Sequence, residues 1–540
     1  MLLPVPGGRR RRVLSYVLLL VLIPIVLIYR HSSYLSELSV YLSENLYRYH
    51  GQANDTAVVL HDDDTEQQVA KVEQEEEIPD RLCDPDTECM DGAWRLRDPP
   101  LRTFADFKRI YPPSHRGVFQ LCGDGGDKRE LEDRERYRRA QEERMVQITN
   151  WVWKPKKGRM REWDAVEFVV RLLKSPGGLI FSGDSISRQH FQWFEYALAR
   201  ADVHIKEDPE HLPSYSHKRL HQFILKPGDS MTAYLQDRAG VPDSRLQRPI
   251  YTKIDNHILV GEKEIREYTV PLGAKQDFPW FDHFQYFEGW EEFVRETARA
   301  RGEQGVAEDT ILVLNTGAHW SRGAFYMLPN TGDAFEQQSR VTAALKRVIN
   351  LITSRLHEIP RLSIYYRSTA PGHPACTSAK YYYSFGRNSS IIAQPDDDES
   401  SKRFTNVESF YTYPYPDIAS AQEAMNNITI SVLVSTPDKH QKVVQSRWDW
   451  DRLEANNEEW KQAIASLRQS PEAGTSSDKA KWYYMDVWNM SLQRPDAHTQ
   501  TVDVNHGTYD CLHWCVPGVV EQWTEYLNHL VFFNRDELPS

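Results

Sequence analysis

From Asp164 onward the apolar residues recur in two rhythms. Val166, Val169, Val170 and Leu173 fall at helical spacing, with Asp164 placed to cap the helix they predict. Leu179, Ile180 and Phe181 then form a short continuous apolar run that reads as the end of a buried strand. Gly183, Asp184 and Ser185 turn the chain into a second helical pattern carrying Phe191, Phe194 and Leu198. "TILVLNTG" (Thr310 to Gly317) predicts another strand, and Val341, Leu345, Val348 and Ile352 share one face of a long helix after it. "LSIYYR" predicts a third strand ending at Arg367. Alternation of this kind implies an α/β fold, a parallel sheet flanked by helices, with ligands beyond the carboxyl ends of the strands. Those ends are polar here: Gly-Asp-Ser, Asn-Thr-Gly and Arg-Ser.

The N-terminal pattern differs. Residues 1–12 are a tail ending in the basic block Arg9 to Arg12, and residues 13–29 carry no charge. At about 1.5 Å per residue the apolar stretch suits a thin ER or Golgi bilayer. Tyr29, Arg30 and His31 follow it without a small-x-small site, so an uncleaved transmembrane signal anchor is favoured over a cleaved signal peptide. The arginines orient the chain as a single-pass type II membrane protein with its body in the lumen. Residues 30–80, with "HDDDTEQQ" and "EQEEEIPD", read as an acidic stem unable to bury a core. Residues 81–535 read as the folded domain, opening with a smaller Cys- and Trp-containing lobe.

Within that domain Lys128 to Arg144 mixes both charges densely and reads as a solvated helix. Gln394 to Lys402 and Gln469 to Lys479 read as loop insertions. "DFPWFDHFQYFEGWEEF" (Asp277 to Phe293) reads as an aromatic core patch in preference to stacking faces for sugar rings.

Composition and charge narrow the function. In 540 residues, 40% hydrophobic and 26% charged, the formal net charge is -12, which argues against nucleic acid as a partner. A lumenal body agrees with four glycosylation sequons, at Asn54, Asn388, Asn427 and Asn489. It also agrees with six cysteines, Cys83, Cys89, Cys122, Cys376, Cys511 and Cys515, an even number suited to disulfides of open connectivity. Without a Cys-x-x-Cys pair, a zinc site is the lesser reading, and no metal or bound cofactor is expected.

Candidate chemistry lies in three stretches. A serine on a tight glycine turn at a strand end is either an ordinary helix cap or a nucleophile awaiting a base. "TYDCLHWCVPG" (Thr508 to Gly518) offers that base. Asp510 and His513 are three apart, so one turn directs both side chains the same way, and a disulfide at Cys511 or Cys515 would pin the loop. Ser185, His513 and Asp510 thus make a candidate triad, in which the carboxylate fixes the histidine tautomer. "LNTGAHW" (Leu314 to Trp320) supplies Asn315 and Gly317, which with Gly183 are candidate oxyanion or substrate contacts. Arg188 is a candidate for an anionic group.

These motifs together resemble the PC-esterase family, which includes the plant trichome-birefringence-like polysaccharide O-acetyltransferases. The resemblance rests on Gly183-Asp184-Ser185 with Arg188, Asn315-Thr316-Gly317 with Trp320, and "DCLHWCVPG". It extends to "CMDGAW" (Cys89 to Trp94), "NWVWKP" (Asn150 to Pro155), "YRSTAPGH" (Tyr366 to His373) and "RPDAH" (Arg494 to His498). One departure is Ala318, which separates Gly317 from His319. The resemblance implies an SGNH-hydrolase-like fold, a Golgi anchor, and acetyl transfer through an acetyl-serine from an acetyl donor acting as co-substrate. Ser185 would be the nucleophile, His513 the base and Asp510 the orienter. The leading expectation is a lumenal O-acetyltransferase with a glycan or glycoconjugate acceptor. An ester hydrolase using the same triad, with water as acceptor, is the alternative, and a non-catalytic glycan-binding protein is the third reading.

Overall fold

Leu179 and Phe181 pack on one side of their strand and Ile180 on the other, and both sides are buried. Ile311 and Val313 oppose Leu312 and Leu314 in the same way, as Tyr365 opposes Ile364 and Tyr366. A strand apolar on both faces is stable only between two covering layers. The chain supplies them in this computed structural model. It describes residues 81–112, 131–208, 219–279, 284–329, 334–373, 376, 415, 417–423, 452–469, 478–499, 502–503 and 508–536.

Strands β1 (Gly92–Leu96) and β2 (Trp151–Pro155) form an antiparallel ribbon. The central sheet uses β3 (Leu179–Gly183), β4 (Ile205–Glu207), β5 (Leu220–Leu225), β6 (Tyr251–Asp255), β7 (Thr310–Leu314), β8 (Leu362–Arg367) and β9 (Lys481–Met485). Its order is β4-β5-β6-β3-β7-β8-β9. From β6 to β9 all neighbours are parallel, and β4 and β5 add an antiparallel edge. A short pair, β10 (Val502–Asp503) and β11 (Thr508–Tyr509), precedes the Asp510 loop.

One face of the sheet is covered by residues of the helices Ala165–Leu173, Ser185–Arg200 and Val519–Asp536, through Phe168, Phe194, Trp523 and Leu527. The other is covered by Trp290–Ala298, Ala334–His357 and Leu453–Gln469, through Phe293, Val341, Leu345, Val348, Ile352 and Trp460. Asp164 caps its helix, accepting from the Glu167 N–H at 3.0 Å. The mixed-charge helix runs Leu131–Thr149 and buries Met145, Val146 and Ile148 in its last turn.

Strand β3 is central: the chain builds β6 on one side of it and then crosses to build β7 on the other. That reversal of order opens a crevice at the carboxyl end of β3, where ligands of open α/β sheets bind. Ser185 stands two residues beyond the last residue of β3.

The expected N-terminal lobe is corrected. Cys83, Cys89, Trp94, Phe107 and Trp153 belong to the same apolar cluster as Phe181 and Trp523. The Trp94 indole donates to the Met490 carbonyl at 2.8 Å, and the Trp153 backbone N–H donates to Gln522 at 3.0 Å. The segment is an extension of the main core because its tryptophans, Trp94 and Trp153, are buried against that same cluster. The aromatic stretch after Asp277 is core, with Phe278, Phe284, Phe287, Trp290 and Phe293 all buried. Among the described residues no helix is long and apolar enough to cross a membrane. The basic tail, the 13–29 anchor, the 30–80 stem, the 394–402 loop, most of the 469–479 loop, and Asn54, Cys122, Asn388 and Asn427 lie outside the described residues.

Candidate active site

The turn that presents Ser185 is built by local rules. Asp184 has extended backbone and caps the helix Ser185–Arg200, its carboxylate accepting from the Ile186 N–H at 3.0 Å. Ser185 is therefore the first helical residue, its N–H without an intrahelical acceptor and near the positive end of the helix dipole. Gly183 is required by close approach: a Cβ there would lie 2.4 Å from Ser187 Oγ and 2.7 Å from the Asn315 carbonyl oxygen.

Asp510 organises the opposite side. One of its oxygens accepts from the Leu512 and His513 N–H groups, both at 3.1 Å, which bends the loop back on itself. The other lies 2.8 Å from His513 Nδ1. Burial pulls the Asp510 carboxyl upward, but the His513 hydrogen bond and charge and the two backbone donors outweigh it and hold it well below the usual carboxylate range. The ionised carboxylate only accepts, so Nδ1 carries the ring proton and Nε2 presents its lone pair. Ser185 Oγ lies 2.6 Å from that Nε2, across 328 residues of sequence, and its O–H donates there. About a quarter of each of the Asp510 and His513 side chains is exposed, and Ser185 is half-buried. The three groups are thus linked to one another and open to solvent.

The loop bearing Asp510 and His513 has long-range ties. Cys376 and Cys511 form a disulfide closing a separation of 135 residues, and Cys515 is also disulfide-bonded. Gln189 is almost fully buried one turn beyond Ser185. Its amide donates to the Trp514 carbonyl at 2.7 Å and accepts from the Trp514 N–H at 3.0 Å. Sequence reasoning missed Gln189, although its i+4 spacing from Ser185 puts both on one helical face.

Asn315 does not meet the expectation of an oxyanion donor. Its amide donates to the Arg367 carbonyl at 2.9 Å and to Thr369 Oγ1 at 3.1 Å, while its oxygen faces Ser187 Oγ at 3.4 Å. With both hydrogens engaged, it braces β7 against β8. Gly317 allows close packing, since a Cβ there would lie 2.1 Å from Thr369 Oγ1. Arg188 remains partly exposed on the helix Ser185–Arg200, donating to Gln285 at 3.1 Å, with Asp255 at 3.5 Å. Arg367, by contrast, is fully buried beneath the turn. It donates to the Ile186 carbonyl at 3.4 Å and to Ser187 Oγ at 3.3 Å, with its guanidinium over the Trp523 ring. Burial pushes it down to about 10, so it stays charged at neutral pH.

Asn489 is the one glycosylation candidate among the described residues. It lies in the helix Trp488–Leu492, half-buried, with its amide donating to the Met90 carbonyl at 3.4 Å, and Ser491 of the same sequon is fully buried. Cys83, Cys89 and His529 bring potential metal-ligand atoms within 4.8 Å of one another. The two sulfurs are joined in a disulfide, however, and His529 Nε2–H donates to the Cys83 carbonyl at 2.8 Å. Its Nδ1 accepts from the Arg161 N–H at 3.2 Å, so no lone pair remains for an ion.

Comparison with known proteins adds family context. Residues 434–530 match the model of PC-Esterase, described as a GDSL/SGNH-like acyl-esterase family found in Pmr5 and Cas1p. That stretch includes Asp510 and His513 but not Ser185. The chain is similar to xyloglucan O-acetyltransferase 3 of Populus trichocarpa, 36% identical over 9% of this chain and 13% of that protein. It is similar to protein trichome birefringence-like 39 of Arabidopsis thaliana, 39% identical over 8% of this chain and 11% of that one. Xyloglucan O-acetyltransferase 2 of Arabidopsis thaliana is 27% identical over 15% of this chain and 20% of its own length. The matches thus span a fifth or less of these curated relatives.

Proposed function

We propose, from the match of residues 434–530 to the PC-Esterase family model, that the chain is an O-acetyltransferase with a glycan acceptor, working through an acetyl-serine at Ser185. One observation carries the reading: Ser185 Oγ stands 2.6 Å from His513 Nε2, whose other nitrogen stands 2.8 Å from Asp510. The names of the xyloglucan O-acetyltransferases support a polysaccharide acceptor. The disulfides support an oxidising compartment, in keeping with a lumenal ER or Golgi body behind an N-terminal anchor.

In the first half-reaction Ser185 Oγ attacks the acetyl carbonyl of the donor as its proton passes to His513 Nε2. The oxyanion forms beside the Ser185 N–H at the helix start, and Asp510 stabilises the imidazolium. Collapse breaks the donor's acyl bond, and the imidazolium returns its proton to the leaving group. In the second half, His513 takes the proton of a sugar hydroxyl as that oxygen attacks acetyl-Ser185, and Ser185 leaves with the proton restored. Water entering in place of the sugar gives hydrolysis, a second reading favoured by the family's description as acyl-esterases.

Ser185→Ala should leave the protein folded and reduce acetyl transfer to a xyloglucan oligosaccharide by at least about a thousandfold, because removing a nucleophile removes the covalent route. Undiminished transfer by that variant rules the nucleophile assignment out. Acetate released equally with and without the oligosaccharide favours the esterase.

A further inference from the structure

A sugar ring has a polar rim of hydroxyls and an apolar face of C–H groups, and an exposed aromatic ring matches that face. The stretch after Asp277 turns Phe278, Phe284, Phe287, Trp290 and Phe293 into the core. Among the described residues three large apolar side chains are exposed: Leu96, Tyr234 and Tyr326. Leu96 ends β1 of the two-stranded ribbon. Tyr234 lies in the helix Ser230–Ala239 after β5, which runs antiparallel to β6 and so leaves the sheet at the end opposite Ser185. Tyr326, 44% exposed, lies on the connection that leaves β7 after Leu314. Leu314 pairs with Ser182 of β3, so that connection starts at the end of the sheet that presents Ser185.

Two adjacent residues tie this connection to the Ser185 helix. Gln285 accepts from Arg188 Nη2 at 3.1 Å, and Arg188 stands three residues beyond Ser185 on the helix Ser185–Arg200. Phe284 packs against Phe325, the neighbour of Tyr326, with ring centroids 5.6 Å apart. His257 strengthens the join. Its N–H donates to the Gln285 carbonyl at 2.8 Å, its carbonyl accepts from Thr316 Oγ1 at 2.8 Å, and its ring stacks on that of His319 at 3.9 Å. A strip of contacts thus runs from the Ser185 helix through Arg188, Gln285, Phe284 and Phe325 to Tyr326.

We propose that this strip binds the acceptor chain, with Tyr326 stacking on a sugar ring other than the one whose hydroxyl meets Ser185. The proposal rests on the reading of a glycan acceptor and deepens it: the substrate it implies is an oligosaccharide or polysaccharide, held beyond the reacting sugar.

Two features of the strip suit this use. The Tyr326 hydroxyl donates to the Pro279 carbonyl at 2.6 Å. That bond fixes the ring before a ligand arrives, so less side-chain entropy is lost on binding. Arg188 supplies polar contacts between the platform and the serine. Its side chain is 38% exposed, and its contacts to Gln285 and to Asp255, at 3.5 Å, are both made by Nη2. Among the described residues Nη1 and Nε have no protein acceptor, so they are available to donate to sugar hydroxyls, which accept as well as donate. An apolar ring and a half-open guanidinium on one strip fit the two chemical faces of a sugar chain.

The test uses the full-length protein, a xyloglucan oligosaccharide as acceptor, and p-nitrophenyl acetate as a small ester that reports on the serine alone. Tyr326→Ala should raise KM for the oligosaccharide at least about tenfold with little change in kcat, the mark of binding lost equally from ground and transition states. Its hydrolysis of p-nitrophenyl acetate should match the wild type, which checks that the fold and the triad are intact. Tyr326→Trp keeps a ring and should stay within about threefold of the wild-type KM. An unchanged oligosaccharide KM in Tyr326→Ala overturns the proposal. So does ester hydrolysis that falls in step with transfer in both variants, since Tyr326 is then structural. Titration calorimetry of the oligosaccharide without any acetyl donor separates this proposal from the reading beneath it. Affinity present in the wild type and lost in Tyr326→Ala supports the platform; if the wild type then transfers no acetyl group, only the transferase reading fails. Equal affinity in the two proteins, or none in either, overturns the platform and leaves the triad to be judged by Ser185→Ala.

Discussion

The two halves of the candidate site are held in contrasting ways. Ser185 is fixed by regular structure: the last residue of β3, a capping aspartate, the first turn of a helix and a glycine no side chain can replace. His513 lies on an irregular loop with few local backbone bonds. Its loop is held by the disulfide between Cys511 and Cys376 and by Gln189, a doubly bonded glutamine from the helix that begins at Ser185. A serine at the carboxyl end of a central strand inherits the rigidity of the sheet. A histidine brought in from 328 residues away must be fastened to that sheet by separate ties.

Substitutions can break this contrast, ranked here by expected loss of folding free energy. Replacing Cys376 and Cys511 together by serine removes the widest tie. The chain-entropy model gives up to about 5 kcal/mol for closing a loop of this size, and the separation is 135 residues. Chemical denaturation should register most of that loss, and kcat should fall by more than any local strain predicts. Full activity in the double variant would mean the remaining ties suffice. Gly183→Ala strikes the other half by driving a Cβ against backbone. We expect about 2–3 kcal/mol of destabilisation from overpacking and roughly a hundredfold loss of kcat from a displaced Ser185.

Gln189→Ala joins the two halves in one test. It strands the N–H and carbonyl of Trp514, for an expected cost of about 2 kcal/mol and a tenfold or greater fall in kcat. Gln189→Glu should recover the accepting contact alone and lie between the two. Smallest is the pH effect of Asp510. Its folded value is depressed, so its stabilisation is complete above the ordinary carboxylate range and disappears as pH falls from about 4 towards its lowered value. Because a quarter of the side chain is exposed, screening limits the contribution to on the order of 1–2 kcal/mol. Acid denaturation of Asp510→Asn should lack this component while transfer activity falls steeply, since the amide no longer fixes the His513 tautomer.

Several elements are readable from the chain because local forces make them. Leu179 to Phe181, Thr310 to Leu314 and Leu362 to Arg367 are apolar runs, and they become strands. Residues Tyr251–Asp255 and Lys481–Met485 are strands as well, but lysines, aspartate and tyrosines interrupt their apolar pattern, and pairing with β3 and β8 overrides it. Asn315 shows the opposite failure: its residue type suits an oxyanion contact, while its neighbours Arg367 and Thr369 engage its amide. Nothing in "LNTG" reveals that, because both partners come from another strand end.

By itself, then, the chain determined its α/β layering, the turn that presents Ser185, and the Asp510–His513 pair, since each depends on periodicity or on residues within one turn of one another. Only the tertiary structure decided that the pair meets the serine, that Gln189 fastens the loop there, and that Asn315 faces away. Those outcomes depend on the order in which strands assemble, and contacts between residues hundreds of positions apart leave no periodic trace in the sequence.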